Sequence, residues 1–540
     1  MKSQRSYVKC ASRPMVIPEP GVPYPMLNVP PPKSHSMTEQ VSSVFGLSFN
    51  ADFLQEILAF PATAPQSDSS STASSHGEKA TVEPSAIVKS DLAELELPAK
   101  HGRSSLTRWL YHIAFSYYRK IFTVIFAANL IAFIVIVVKK DGHPLAPNMG
   151  TAASVNLMAT LLFRQENFVN LLYEIAVACP HGAPLWLRRR LAKVFHYGGG
   201  HSGSGVAAVV WYIMYTAVLT RDFIADRSSK WAVANLATSY ILVTMFCFIL
   251  TAAHPVLRRR YHDYFEAGHR YSGWVALATF WMHSIFAANQ YRVLEPGSPP
   301  SLGRYLINTA SFWTFCISTG CSLLSWSRLR RHDVYPEILS SHAIRLHFKY
   351  RDMQPFYGLK VSTRPLLEWH AFATIPDDDG TGPGSKGFSI VVSNAGDWTR
   401  ECITNPPTKL WIRGAPMHGL LYTSKLFKKI VVVATGSGIG PCLSLFYADV
   451  TPRRIFWSTP SPAVTYGKKI VDMVRKPDPD AWIWDTRTDG RPDMVAVTYK
   501  LVVESQAEAV FIISNPKLTR RVVYGMESRG IAAYGAIFDS

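Results

Sequence analysis

Two short segments repeat one pattern, a histidine with glycine four residues later: His201-Ser-Gly-Ser-Gly205 and His269-Arg-Tyr-Ser-Gly273. Fourteen residues after His269 comes His283. On a helix that separation is just under four turns, which puts both rings on one face about 21 Å apart. Facing histidines on parallel helices suit axial ligation of b-type haem. The spacing predicts one haem between His201 and His269, and a second only if His283 finds a partner. The equivalent position on the other helix is Tyr215. The blander alternative makes all three histidines helix-end or hydrogen-bonded core residues. Another chemical signal is Gly436-Ser437-Gly438-Ile439-Gly440-Pro441, directly after the apolar run KKIVVVAT. Glycines there let backbone approach a pyrophosphate, and the following helix N-terminus favours its charge.

The elements that must position these groups follow from composition. Of 540 residues, 48% are hydrophobic and 17% charged, which excludes a mainly disordered chain. Lys+Arg outnumber Asp+Glu by 56 to 38, a formal charge of +18. The seven cysteines are scattered, which argues against a disulfide framework, a zinc site and an iron–sulfur cluster. The first 20 residues lack the apolar core of a signal peptide. Residues 1–104 read as a disordered tail, Pro-rich then Ser-rich, with one amphipathic stretch from Val44 to Phe60.

Residues 105–330 alternate apolar runs with basic turns, giving six expected spans: 121–138, 151–178, 204–220, 231–253, 271–290 and 305–326. Basic residues cluster before the first span, in alternate turns (Arg188 to Arg190, Arg258 to Arg260) and after the last. The positive-inside rule then puts both termini in the cytosol, with membrane lipid rather than nucleic acid as partner. Arg164-Gln165-Glu166-Asn167 interrupts the second span. An arginine in lipid needs a partner; Glu166 or a haem propionate would serve. Beyond residue 335 the alternation in RLHFKY and FSIVVS predicts strands. The runs RRIFWS, AWIWDT and AVFIIS, separated by helical stretches, predict an α/β nucleotide-binding domain.

The carboxyl-terminal half resembles the flavin–nicotinamide module of ferredoxin–NADP reductases, ferric reductases and NADPH oxidases. Trp369-His370-Ala371-Phe372-Ala373-Thr374 looks like the family's His-Pro-Phe-Ser/Thr flavin motif. Asn394-Ala-Gly396-Asp397-Trp398-Thr399 looks like the strand end that follows it, and Arg413-Gly414-Ala-Pro416-Met-His418-Gly419 like the segment that closes the flavin domain. Gly436 to Pro441 matches the nicotinamide turn; Thr488-Asp-Gly490-Arg491-Pro492 resembles a Gly-Arg-Pro segment; Ser514-Asn515-Pro516 stands where the family has Cys-Gly-Pro. With Tyr-Gly-Gly-Gly-His-Ser-Gly and the carboxyl end, the chain resembles the fungal TmpA-like transmembrane flavoproteins.

The resemblance implies a membrane α-helical bundle of six transmembrane helices (105–330), a β-barrel FAD-binding domain (335–425) and an α/β NAD(P)-binding domain of ferredoxin–NADP reductase type (426–540). The implied activity is that of a plasma-membrane oxidoreductase passing electrons from NAD(P)H through FAD, by way of haem, to an unidentified acceptor. It places FAD on His370, Phe372, Ala373, Thr374, Gly396, Trp398 and Thr399, and NAD(P)H on Gly436 to Pro441 and Arg491. It puts Ser514 beside the nicotinamide and Phe538 over the isoalloxazine, though Phe538 suits a core aromatic equally. Ala371, Ser514 and Tyr215 depart from the family pattern. Two alternatives stay open: a haem-less membrane flavoprotein with a small-molecule acceptor, and a redox-sensing scaffold without turnover. NADPH and NADH are not distinguished, although Lys468, Lys469 and Arg491 could reach a 2′-phosphate.

Overall fold

A computed structural model describes residues 96–536, apart from 102–103, 141, 228, 296 and 378–386. The Pro- and Ser-rich tail up to residue 95, with the stretch from Val44 to Phe60, lies outside the described residues, as does Phe538. The described part opens on residues 96–101, which run along the carboxyl-terminal unit. Leu97 packs on its core, His101 N–H donates to Ser528 O, and Arg529 Nε donates to Pro98 O.

Helix α1 (Tyr117–Lys139) is apolar on every side and buries none of its residues. Helix α2 (Ala146–Leu162) stops at Phe163, and α3 (Glu166–Val177) starts afresh from Gln165, whose side chain accepts Phe168 N–H. After α4 (Leu185–Leu191) come α5 (Gly198–Ala225), α6 (Lys230–Ala252), α7 (His262–Tyr291) and α8 (Ala310–Ser327). The glycine run that opens α5 serves close packing. A Cβ at Gly199 would run into Tyr118 O of α1, and one at Gly203 would lie 3.1 Å from Phe122 Cα. Small residues four apart let two helix backbones touch in this way.

The six-span bundle is corrected here. Among the described residues three helical stretches are long and apolar enough to cross a membrane: Tyr117–Lys139, Leu185–Ala225 and Lys230–Ala252. The expected span 151–178 is two helices, because α3 is amphipathic. It buries Glu166, Val169, Tyr173 and Ala176, spaced three and four apart, on one face. That face meets strand and loop residues rather than lipid. Helices α7 and α8 are broken up by charged and hydroxyl side chains and fall outside the three.

Two four-stranded antiparallel sheets follow. One has the order β1 (Arg330–Asp333), β8 (Lys409–His418), β4 (Tyr357–Ser362), β5 (His370–Ala373). The other runs β2 (Tyr335–Ile338), β3 (Ala343–Phe348), β7 (Phe388–Ser393), β6 (Ile375–Pro376). The inward side chains, among them Ile344, Leu346, Val361, Ile390 and Leu410, make one core. Last comes a parallel sheet with the order β11 (Trp482–Asp485), β10 (Arg453–Thr459), β9 (Ile430–Thr435), β12 (Ala509–Ile513), β13 (Ala532–Gly535). Helices α10 (Ile439–Ala448), α11 (Lys468–Arg475), α12 (Met494–Ser505) and α13 (Pro516–Glu527) accompany these strands, and α9 (Asp397–Thr404) precedes β8.

The helical region and the parallel-sheet unit share apolar and polar contacts. Val169 and Tyr173 of α3 belong to the same buried cluster as Val432, Leu443 and Trp457. Arg188 of α4 makes a two-pronged bond to Glu508, at 2.7 and 3.0 Å, and also donates to Leu426 O. Tyr534 OH donates to Arg189 O. Arg188 is 4% exposed, so stripping its counter-charge leaves a buried cation, which costs about 3 kcal/mol or more. The Arg188 hydrogen bond lowers the Glu508 pKa, so the pair stabilises the fold above the unfolded carboxyl value and is lost as pH falls through the folded one. Glu508→Gln should therefore lower the melting temperature by several degrees at pH 7. The gap to wild type should narrow on acidification below about pH 4. A pH series of melting curves checks both.

Candidate functional site

The site is built around two cations on neighbouring strands. Lys360 of β4 lies opposite Arg413 of β8, and opposite Ala371 of β5 on its other side. Cross-strand neighbours share a face, and like charges directly opposite repel. The Arg413 guanidinium lies between two indoles, 4.6 Å from the Trp326 ring and 4.5 Å from the Trp369 ring. Trp326 closes the last turn of α8, so the helical region supplies one side of this clamp. Arg413 Nε is buried without a hydrogen-bond partner. Burial holds the Lys360 ammonium below its usual pKa and brings Arg413 down to about 10. Lys360 is partly exposed.

Two carboxylates offset part of this charge. Glu166, first residue of α3, accepts a 2.6 Å bond from Ser325 Oγ and lies over Gly414. Gly414 has φ +76°, and a Cβ there would run into the Glu166 carboxylate. Glu266 pairs with Arg270, which also donates to Leu366 O and Leu367 O. The ion pair expected between Arg164 and Glu166 does not form; Glu166 accepts from Ser325 instead.

The residues of the expected flavin motif divide into two groups. His370 stacks on Trp398 at 4.1 Å, and Phe372 lies 5.8 Å from the same indole. His370 Nε2 is buried without a hydrogen-bond partner, with Glu368 Oε2 3.7 Å away. Thr374 and Thr399 are engaged in the backbone instead. Thr374 Oγ1 donates to Tyr357 O, and Thr399 Oγ1 accepts Ala395 and Gly396 N–H, closing the turn before α9. Gly396 meets open space, and Ala373 pairs with Gly358 at the end of β5.

The glycine turn sits where β9 gives way to α10, beside β12. Strand order reverses across this point, since β10 flanks β9 on one side and β12 on the other, which is where open α/β sheets bind ligands. Gly436 has φ +49°, and its carbonyl accepts Trp457 Nε1–H at 3.0 Å. A Cβ on Gly438 would collide with Ile513 O, so this glycine serves the packing of β12. Ser437 is exposed, no side chain caps the start of α10, and Ile439 is buried beneath it. Gly440 faces Val391 of β7, which brings the turn against the β-domain. Ser514 Oγ and Thr435 Oγ1 are hydrogen-bonded at 2.5 Å at the ends of β12 and β9. Arg491 and Lys468 are exposed, whereas Lys469 is committed to an ion pair with Glu337 at 2.5 Å.

His201 and His269 come together, and His283 stands apart from them. The His201 and His269 rings are 6.4 Å apart, and His201 Nδ1 donates to Thr160 O. His283 is a core residue: Nδ1 meets Thr238 Oγ1 at 3.1 Å, and its ring stands edge-on to Tyr212 and Tyr215. Among the described residues no group of three or more His, Cys, Asp or Glu is placed to hold a metal. Sequence reasoning missed Lys360 and the indole clamp on Arg413. The available signal was a lysine inside the otherwise apolar strand YGLKVS.

Comparison with known proteins gives the following. Residues 420–540 match the family model described as adenylate-forming reductase 03009, C-terminal domain. The chain is 43% identical over 480 residues to adenylate-forming reductase 03009 of Coprinopsis cinerea, covering 89% of this chain and 45% of that protein. It is also 43% identical over 450 residues to adenylate-forming reductase 06235 of the same fungus, covering 83% of this chain and 42% of that protein. The chain thus spans under half the length of the curated relatives it matches. Ferredoxin-NADP+ reductase from Plasmodium falciparum with 2′P-AMP aligns with 40% of this chain and 98% of its own, at TM-score 0.31 and 10% identity. The FAD/NAD-binding domain of nitric oxide dioxygenase from Vibrio cholerae aligns with 39% and 98%, at TM-score 0.30 and 12% identity.

These findings correct the family reading. The similar proteins are adenylate-forming reductases, not TmpA-like flavoproteins, ferric reductases or NADPH oxidases. The electron route through haem falls with it. It was placed between His201 and His269 on a six-span bundle, where three helical stretches qualify and His201 Nδ1 is bonded to Thr160 O; His283, the ligand of a second haem, is held by Thr238.

Proposed function

We propose that this chain is an NAD(P)H-dependent flavin oxidoreductase with FAD as its resident cofactor. The oxidoreductase class has support from both relatives, each named a reductase. The observation that carries the cofactor reading is the pair Lys360–Arg413. Two facing cations, one with an unpartnered Nε, fit a dianionic diphosphate. The His370–Trp398 stack on the adjoining strand offers the flat aromatic surface that a ring system needs.

When bound, FAD supplies hydride acceptance and release of single electrons. The chain's own residues do the rest. Lys360 and Arg413 hold the diphosphate, and Trp326 and Trp369 fix the Arg413 fork by stacking. The turn from Gly436 to Pro441 takes the nicotinamide dinucleotide through backbone N–H groups at the uncapped start of α10. Ser514, oriented by Thr435, is proposed to position the nicotinamide. Because the relatives are about twice as long, we assign the reducing half of their named activity, rather than adenylate formation, to the stretch this chain covers.

We further propose that α1, α5 and α6 lie against lipid. No residue of α1 is fully buried, and Ile131, Ile134 and Val138 are exposed on the side away from α5. Alkaline carbonate should leave the chain in the membrane pellet; release into the supernatant would refute this placement. For the nucleotide site, anaerobic NADPH should bleach the 450 nm flavin band of the purified chain. Ser437→Glu adds a negative charge at an exposed position of the turn, so folding should be unchanged and the KM for NADPH should rise about tenfold. An unaltered KM would remove this turn from the nucleotide site.

A further inference from the structure

A cavity of about 300 Å³ opens where α8 runs into β1. Three arginines line it, Arg328, Arg330 and Arg351, and no Asp or Glu does. Arg328 and Arg330 follow directly on α8, whereas Arg351 is brought in by the turn after β3. None of the three forms an ion pair among the described residues. Arg330 gives one nitrogen to Ser327 O and Leu329 O, and Arg351 gives its Nε to Asp352 O. The neighbouring carboxylates are engaged elsewhere: Asp333 pairs with Lys409, and Asp352 accepts Gly387 N–H. His332 of β1 stacks almost parallel on Tyr350 at 3.6 Å, which ties β1 to the turn that carries Arg351 and fixes one wall. The cavity is separate from the Lys360–Arg413 face. Leu359 and Ile412, which line it, alternate with Lys360 and Arg413 along β4 and β8 and so lie on the opposite side of the sheet.

An apolar stripe on α8 leads up to this cavity. Trp313, Ile317 and Leu324 are exposed, and their spacing of four and seven puts them on one face, with Arg328 four residues further on. At 1.5 Å per residue Arg328 lies about 16 Å along the axis from Ile317, close to half the roughly 30 Å hydrocarbon core of a bilayer. We propose that the cavity holds the phosphate of an anionic phospholipid whose acyl chain lies along this stripe. Guanidinium forks match phosphate oxygens two at a time, and basic pockets beside membrane helices take anionic headgroups. The adjoining stripe favours a phosphate that carries an acyl chain over a free one. The proposal rests on the membrane placement proposed for α1, α5 and α6, and extends it to α8. It does not depend on flavin or nicotinamide.

The probe is dioleoyl phosphatidate, added to the full purified chain in detergent, with bound lipid counted by native mass spectrometry. One phosphatidate should bind about tenfold more tightly than dioleoyl phosphatidylcholine, whose choline cancels the phosphate charge. Arg328→Gln with Arg351→Gln should bring phosphatidate down to the phosphatidylcholine level. The melting temperature should barely change, because both arginines are exposed. Arg331→Gln is the control: Arg331 follows α8 as closely but does not line the cavity, so binding should match wild type. Glycerol 3-phosphate, the headgroup without its chains, should compete about a hundredfold more weakly than phosphatidate. Equal affinity for the two lipids, an equal loss with Arg331→Gln, or competition by glycerol 3-phosphate at the concentration phosphatidate needs would each overturn the proposal. The last of these would make a free phosphate ester the occupant. Release of the chain by alkaline carbonate would overturn the membrane placement and this proposal with it. A chain retained in the membrane pellet that shows no lipid preference would overturn the headgroup site alone.

Discussion

Two positive side chains held face to face on adjacent strands, Lys360 and Arg413, constrain everything near them. Their repulsion in a partly enclosed space is tolerable only with anions close by. Glu166 provides one, and it reaches Gly414 because α2 breaks after Leu162 and α3 turns onto the sheet. Trp326 and Trp369 provide a different kind of support, since indole faces attract a guanidinium without cancelling its charge. The helical region and the break between α2 and α3 thus both bring side chains to this pair of cations. In the proposed site a bound diphosphate would add to the negative charge that Glu166 and Glu266 already bring near the pair.

From this point the coupling runs into the parallel sheet. Glu174 of α3 accepts from His418 and Tyr422, which stack on each other at 3.8 Å. Val169 and Tyr173 of the same helix enter the core beneath β9. Phe356 N–H donates to Ser444 Oγ of α10, and Gly440 rests on β7. The glycine turn is thus held against the β-domain by backbone-level contacts. A dinucleotide seated on the turn and a flavin seated on the sheet would share one rigid frame.

The turn from Gly436 to Pro441 was legible because geometry demands its glycines: one has positive φ and another abuts a neighbouring strand. The alternating strands were legible for the same reason, as period-two burial is a local property. The helical region misled where local pattern and tertiary role diverge. The run 151–178 is apolar enough to suggest a span, yet its second half is a docking helix, and Arg164-Gln165-Glu166-Asn167 marks the break rather than a charge in lipid. The triple glycine before His201 resembles a family signature, but Gly199 answers to the backbone of α1 and Gly200 to the Phe163 ring. The repeated His-x-x-x-Gly suggested a metal, while His283 turned out to be a satisfied core residue. Lys360 gave almost no signal, because a lysine on an alternating strand usually points to solvent. Its significance comes from Arg413, fifty-three positions away.

The central claim is that the Lys360–Arg413 face holds FAD. The direct measurement is the flavin released by heat from purified chain, identified by chromatography and counted per polypeptide. Wild type should yield stoichiometric FAD, and Lys360→Met with Arg413→Met should yield only traces while the parallel-sheet unit stays folded by circular dichroism. A wild-type chain reconstituted with FAD that retains none, or a double variant that retains as much as wild type, would contradict the account.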